Sequence, residues 1–395
     1  MLQVKIYKYF FLFIACAAFL AQTACKKDTA GASPQIAQIR AISPAPDDSV
    51  LTAALPGQVV VIQGANLGGA YDVVFNGFHA TLNTALFADN NLVVAVPQIA
   101  WDSIPEGKLD VLEVSTPAGT ATYTFHITAP APSITSLSNE MATAGTTLTI
   151  NGNNFYAISK VIFPGGIEVS DLTVSGITKI TLTVPSGITE GGPIQVVGTY
   201  GTGTSILLFN DITTGVLCNF DNVNNFSWGC PVSSDAGAYP GGVGSFAQMQ
   251  FTGVSGNEWS WWNWGRSINS NSGTWIPSDH LSDPLSSYAL KFEIYVKAPW
   301  STGSFYIVKD YNWAYAALYT PWKTKADYTT DGWQTVTIPL DQFKTNNGTG
   351  DPASSLSALV GSGSGNIDIM FINDTDTPVD NFDAAVDNVR FVKIK

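Results

Sequence analysis

A repeat constrains this chain before anything else does. Gly64-Ala65-Asn66-Leu67 returns as Gly152-Asn153-Asn154-Phe155. Val74-Phe75 returns as Ile162-Phe163, and LVVAVP at residues 92–97 returns as ITLTVP at 180–185. One offset of 88 residues relates all three pairs. Separate matches at one fixed spacing mean two copies of one domain. Within each copy, short alternating apolar runs are punctuated by Gly, Asn and Pro, as in the strands and turns of a β-sandwich. The Gly and Asn residues are expected to supply the positive φ of tight turns. No helical periodicity of useful length interrupts them. The copies span residues 36–129 and 130–210.

The composition then changes. Ten of the eleven tryptophans follow Val216. Four of them crowd the stretch Glu258-Trp259-Ser260-Trp261-Trp262-Asn263-Trp264-Gly265-Arg266. Read as a strand, this stretch puts Glu258, Ser260, Trp262, Trp264 and Arg266 on one face and Trp259, Trp261 and Asn263 on the other. Flat rings beside charged hydrogen-bonding groups suit a sugar, which offers C–H patches and a hydroxyl rim. Trp262 and Trp264 are therefore the expected platform, helped by Tyr311, Trp313 and Trp322. Glu258 and Arg266 are expected to bond the rim. Tyr311, Trp313 and Tyr315 share a face if their run is extended. Further strands are expected at 288–296, 303–309, 333–339, 366–372 and 385–394. In the first of these, Lys291 and Glu293 fall on the face expected to be wet. A third domain is thus expected over residues 216–395.

Charge and composition remove several function classes. The 395 residues carry a net charge of −13, which argues against nucleic acid and fits a neutral partner. A glycosidase needs two positioned carboxylates, but Glu258 and Glu293 are the only glutamates after Val216. The three histidines, His79, His126 and His280, show no metal-ligand spacing. Binding without catalysis is the favoured reading. A surface adhesin and, less favoured, a glycoside hydrolase are the alternatives.

The N-terminus reads as an export signal over residues 1–24. Lys5 and Lys8 precede an apolar run from Tyr9 to Leu20, and small residues lead to Ala24-Cys25. The tether 25–35 is small and polar. Cys218 and Cys230 are a candidate disulfide in an exported protein, worth about 3 kcal/mol by chain entropy. The acidic end of the chain, with Asp374, Asp376, Asp380, Asp383 and Asp387, has the oxygen donors that calcium takes. No cofactor is required by this reading.

Several stretches resemble known families. Residues 34–42, 59–67 and 73–77, with 132–134, 147–155 and 161–163, resemble IPT/TIG domains, which implies immunoglobulin-like sandwiches. Residues 332–340 and 385–391 resemble jelly-roll carbohydrate-binding modules. Such modules often hold a structural calcium between first and last strands, which implies Asp221 and Asp387 as its pair here. The run from Leu20 to Cys25 resembles a bacterial lipoprotein signal, which implies lipidation of Cys25. The whole resembles the surface glycan-binding lipoproteins of Bacteroidetes polysaccharide utilisation loci, notably the xyloglucan-binding type. That implies an all-β chain of two IPT/TIG sandwiches and a jelly-roll-like glycan-binding sandwich. It also implies a place on the outer membrane, facing outward by a lipid anchor, beside a glycan transporter complex, with a neutral polysaccharide as ligand.

One expectation can be tested on the signal alone. Cys25→Ala should move the protein from the membrane fraction to the soluble fraction. A variant that stays with the membrane would contradict lipidation at Cys25.

Overall fold

The computed structural model describes residues 31–44 and 46–395. The export segment, Cys25 and the first part of the tether lie outside the described residues. The chain divides into two compact units between Ala129 and Pro130.

In the first unit, Gln35–Ala41, Val59–Ala65, Asn91–Ala95 and Phe87–Ala88 form one antiparallel sheet. Phe78–His79, Asp72–Phe75, Val111–Thr116 and Gly119–Thr124 form the other. Val60, Ile62, Val73, Phe75, Leu92 and Leu112 are buried between them. The second unit begins with the same architecture. Ser133–Leu137, Thr147–Asn153, Lys179–Thr183 and Leu172–Ser175 make one sheet, and Ile167–Val169, Ile158–Phe163, Gly192–Gly198 and Gly201–Phe209 make its partner.

The repeated Gly-x-Asn has two separate physical causes. Asn66 and Asn154 take positive φ, +59° and +60°, as expected of turn residues. Gly64 and Gly152 do not. Each lies in a strand opposite a β-bulge in the first strand of its copy, after Ile36 and after Ile134. A Cβ on Gly64 would sit 1.8 Å from the Gln35 carbonyl oxygen, and one on Gly152 would sit 2.0 Å from that of Ser133. These glycines admit a neighbouring backbone rather than a turn.

The C-terminal part of the second unit is a larger sandwich. Its first sheet runs Val232–Ser233, Phe246–Val254, Val379–Lys393, Tyr288–Val296 and Gln334–Pro339, with Val216–Cys218 also paired to the long strand Val379–Lys393. Its second runs Phe226–Gly229, Ser267–Ser270, Ile367–Ile372, Ser304–Lys309 and Asn312–Tyr319. Phe292, Trp300, Phe305, Phe371 and Phe382 fill the space between.

The expected wet face of Tyr288–Val296 is not wet. Lys291 and Glu293 are each 1% exposed, because the preceding sandwich covers them. Glu140 of that sandwich pairs with Lys291 and, at 2.8 Å, with Arg390. Arg390 also makes a bidentate pair with Glu293, at 2.8 and 3.0 Å. Thr335 Oγ1 donates to Glu293 and accepts the Glu140 backbone N–H. The two faces do alternate, with Tyr288, Leu290, Phe292, Ile294 and Val296 in the core, but charges that answer one another across a junction need no water.

Cys218 and Cys230 are both buried and free, so the candidate disulfide is not formed. The Cys218 thiol donates to Asn224 Oδ1 at 3.6 Å, and burial pushes the Cys230 thiol up to about 12. Both behave as small apolar residues of the core.

The junction network gives a stability prediction. Glu140→Ala leaves Lys291 buried without its partner and Arg390 with Glu293 alone, which should cost about 3–5 kcal/mol. Denaturant unfolding of the full chain measures it, and a loss below about 1 kcal/mol would mean that the network is wet.

Candidate functional site

The tryptophan-rich stretch is a loop, not a strand. It connects Phe246–Val254 in one sheet to Ser267–Ser270 in the other, so its ends are fixed on opposite sides of the sandwich. The two-face partition of its residues therefore fails. Backbone bonds from Trp261 N–H to Trp259 O, Asn263 N–H to Ser260 O and Arg266 N–H to Asn263 O coil it into consecutive turns. Gly265 closes the last at φ +84°.

Glu258 organises this loop. Its carboxylate accepts from Ser255 N–H, from Ser260 Oγ and from Arg266 Nη1. Hydrogen bonds from Ser260 and Arg266 hold its carboxyl down at about 2. Glu258 and Arg266 thus turn to each other across the base of the loop instead of lining a rim together. A second brace comes from the acidic segment near the C-terminus. Asn373 N–H donates to Glu258 O, Asn373 Nδ2 to Ser255 O and Asn257 N–H to Thr375 O. Asp374 accepts from Ser304 Oγ and Tyr306 OH, and Asp376 from Asn257 Nδ2. Asp376 thus holds the loop, and Asp374 ties the bracing segment to the strand Ser304–Lys309.

The braced loop lays its rings over the outer face of the five-stranded sheet. Trp261 and Trp313 rest on Val308, Ala316 and Met370. Trp259 packs on Tyr306 at 5.4 Å and on Trp313 at 6.1 Å between centroids. Trp261 stacks on Tyr311 at 5.9 Å, and also meets Trp228 and Trp262. Trp228 Nε1 donates to Tyr311 OH at 3.1 Å. The outermost rings are Trp264, 77% exposed, and Trp262, 59% exposed, with Trp259, Trp228 and Tyr311 each about 40% exposed. Exposed apolar rings of this size in one patch mark an interaction surface.

Of the residues expected in the site, Trp262, Tyr311 and Trp313 are brought together with the ring cluster, and Trp264 stands on the same loop. Trp322 is not in that cluster. Its Nε1 donates to Gly303 O, the carbonyl that also accepts from Trp300 Nε1, and its ring packs on the core. Tyr315 also packs on the core. The register jumps from Val308↔Ala316 to Lys309↔Asn312, leaving residues 313–315 unpaired with that strand and breaking the alternation. Trp228, Trp259 and Trp261 join the cluster without having been expected there. Trp228 faces out because the register slips between Phe226 and Trp228.

The charge of Asp221 acts on Asp387. Burial pushes the Asp387 carboxyl up to about 8, and the charges of Glu293 and Asp221 add to the rise. Asp221 Oδ1 accepts from Ser245 N–H at 2.8 Å. Asn219, Asn222 and Asn388 line the same cavity as Asp221, so the donor set is one of hard oxygens. Among the described residues, no group of three or more His, Cys, Asp and Glu side chains is gathered.

Residues 209–393 match the family model of the surface glycan-binding protein B xyloglucan-binding domain. The C-terminal sandwich is similar to that family. An IPT/TIG domain-containing protein of Bacteroides ovatus is 29% identical over 214 residues, which is 49% of this chain. The chain spans 43% of that relative's length in the match. Among solved structures, the surface glycan-binding protein PbSGBP-B of Prevotella bryantii aligns over 92% of this chain and 99% of its own, with a TM-score of 0.71 at 24% identity. An SGBP-B from a complex xyloglucan utilization locus in Bacteroides uniformis aligns over 92% and 100%, with a TM-score of 0.52 at 22% identity. At these identities the structural likeness speaks for the fold.

The Glu258 brace has a defined pH signature. Its folded pKa lies below the unfolded one, so its contribution is present above about pH 4.5 and is lost as pH falls through about 2. The melting-temperature gap between wild type and Glu258→Gln should be constant from pH 8 to 5 and close in more acid solution. A gap that persists undiminished at pH 2 would contradict the brace.

Proposed function

We propose that this protein captures a neutral polysaccharide at the cell surface, without catalysis, through the ring patch of its C-terminal sandwich. The observation that carries the reading is the pair of exposed indoles, Trp262 and Trp264, on a braced loop inside the segment matched by the xyloglucan-binding domain family. A β-glucan or a hemicellulose such as xyloglucan is the ligand class. Indole and phenol faces stack on pyranose C–H patches, and a neutral chain asks nothing of a protein with net charge −13.

The absence of catalysis is supported by the carboxylates near the rings. Glu258, held at about 2 and bound to Arg266, is no proton donor near neutral pH. Asp368, beneath the rings, is fully buried. Glu293 is bound to Arg390 at the junction with the neighbouring sandwich.

The two sandwiches before the C-terminal domain are read as spacers, with domains at 36–129, 130–210 and 216–395. Cys25 is read as the lipid anchor to the outer membrane, and a glycan transporter as the neighbouring complex. A calcium ion at Asp221 and Asp387 would be structural, bridging the chain entering the last domain to its final strand.

Calorimetry against xyloglucan, mixed-linkage β-glucan and other neutral polysaccharides tests the reading. Trp262→Ala and Trp264→Ala should each cost about 2 kcal/mol of binding, the usual hot-spot scale. Both side chains are mostly exposed, so the melting temperature should barely move. A chelator should leave affinity unchanged, and a lowered melting temperature on chelation would be the sign of calcium. Full affinity in both variants would refute the platform, and binding to a host protein without polysaccharide binding would favour the adhesin reading.

A further inference from the structure

Two buried acceptors stand unpaired in the layer beneath the rings. Asn269 and Asp368 are direct partners across the paired strands Ser267–Ser270 and Ile367–Ile372. Both are 0% exposed. Asn269 Nδ2 donates to Trp228 O at 3.1 Å and to Ser267 Oγ at 2.8 Å, which uses both of its hydrogens. Asp368 Oδ2 accepts the Tyr311 N–H at 2.8 Å. Asn269 Oδ1 and Asp368 Oδ1 have no partner among the described residues. Two bare acceptors on neighbouring strands in a buried place are costly unless a donor stands between them.

We propose that Asp368 carries a proton that it donates to Asn269 Oδ1, and that it is thereby a positioning residue for Tyr311 and the rings stacked on it. The inference rests on the reading of the ring patch as the glycan surface. Protonation leaves Asp368 Oδ2 free to keep the Tyr311 N–H, so one hydrogen satisfies both orphaned oxygens and removes a buried charge.

Tyr311 needs such an anchor. Asp310 and Tyr311 are consecutive non-glycine residues at φ +53° and +52°, a conformation that costs energy and persists only where neighbours enforce it. Asp368 holds the Tyr311 backbone, and the Tyr311 ring then receives the Trp228 N–H and stacks on Trp261. Burial raises the Asp368 carboxyl to about 6 although hydrogen bonds from the Tyr311 backbone and hydroxyl lower it, and the Asp310 charge adds to the rise. Asp310 is itself paired with Lys309, and Glu258 and Arg266 in the loop are paired with each other. A folded pKa above the unfolded one means that the stabilisation is complete below about pH 4 and is lost as pH rises through about 6. The patch is therefore tighter in mild acid than at neutral pH.

The experiment compares full-length wild type, Asp368→Asn and Asp368→Ala. An amide at position 368 has both the acceptor for Tyr311 and a donor for Asn269, so it fixes the acid form without titrating. Tryptophan fluorescence of the wild type should move with a midpoint near pH 6, and affinity for xyloglucan should tighten roughly threefold or more from pH 7.5 to 5, the scale of one hydrogen bond. Asp368→Asn should be flat in both measurements at the wild type's acid level, and Asp368→Ala should bind weakly at both pH values. No wild-type transition, or one retained in Asp368→Asn, would overturn the shared proton. A transition without any change in affinity would overturn the positioning role. Absence of polysaccharide binding at every pH would instead count against the functional reading, and the fluorescence arm would still decide the proton. Should Asp368→Ala fail to fold, the Asp368→Asn comparison decides alone.

Discussion

The ion pair between Glu258 and Arg266 is what turns a run of tryptophans into a surface. Indoles are sticky and a loop is entropically expensive to order. Left unbraced, four tryptophans within six residues would collapse onto the nearest apolar face. Here the loop leaves one sheet at Val254 and enters the other at Ser267, and Glu258 ties its base to its end. The Asn373–Thr375 segment fixes the same base from outside. With the backbone coiled between these fixed points, Trp259 and Trp261 are drawn down onto the sheet while Trp262 and Trp264 are pushed outward. Two indoles act as foundation and two stand exposed.

A different set of charges does the same for domain geometry. Glu140, Lys291, Glu293 and Arg390 are nearly inaccessible and satisfy one another. Such a network adds little net stability over an apolar junction, but it fixes register, because a slipped junction would bury unpaired charges. The second sandwich is thereby set firmly against the third. The first unit ends at Ala129. The ring patch thus sits on a unit whose two sandwiches are joined by this network.

The architecture could be read from the sequence because repeats and alternation report on backbone. The 88-residue offset marked equivalent strands, and Tyr288–Val296 was found with its boundaries. Alternation failed where the register is broken. The Asn312–Tyr319 strand carries unpaired residues 313–315, so Trp313 and Tyr315 part company, and the slip after Phe226 turns Trp228 outward. The face partition of residues 258–266 failed more deeply, since tight turns have no period of two. Charge pairing was also invisible. Nothing local in the sequence links Glu140 to Arg390, 250 residues away. Nor does a pair of cysteines in sequence say whether its sulfurs meet, and Cys218 and Cys230 do not bond. What the sequence did carry was chemistry. It concentrated rings in one stretch and left the surrounding protein acidic and poor in catalytic groups.

The central claim is that exposed loop indoles, and not core indoles, meet the polysaccharide. Eleven tryptophans make it directly measurable, because each side-chain N–H has its own resonance. Titration of isotope-labelled protein with a soluble xyloglucan oligosaccharide should shift the indole signals of Trp262 and Trp264 most, and those of Trp228, Trp259 and Trp261 less. The signals of Trp275, Trp300 and Trp333, which are buried, should stay in place. Saturable binding with unmoved Trp262 and Trp264 resonances would contradict the account and put the site elsewhere on the molecule.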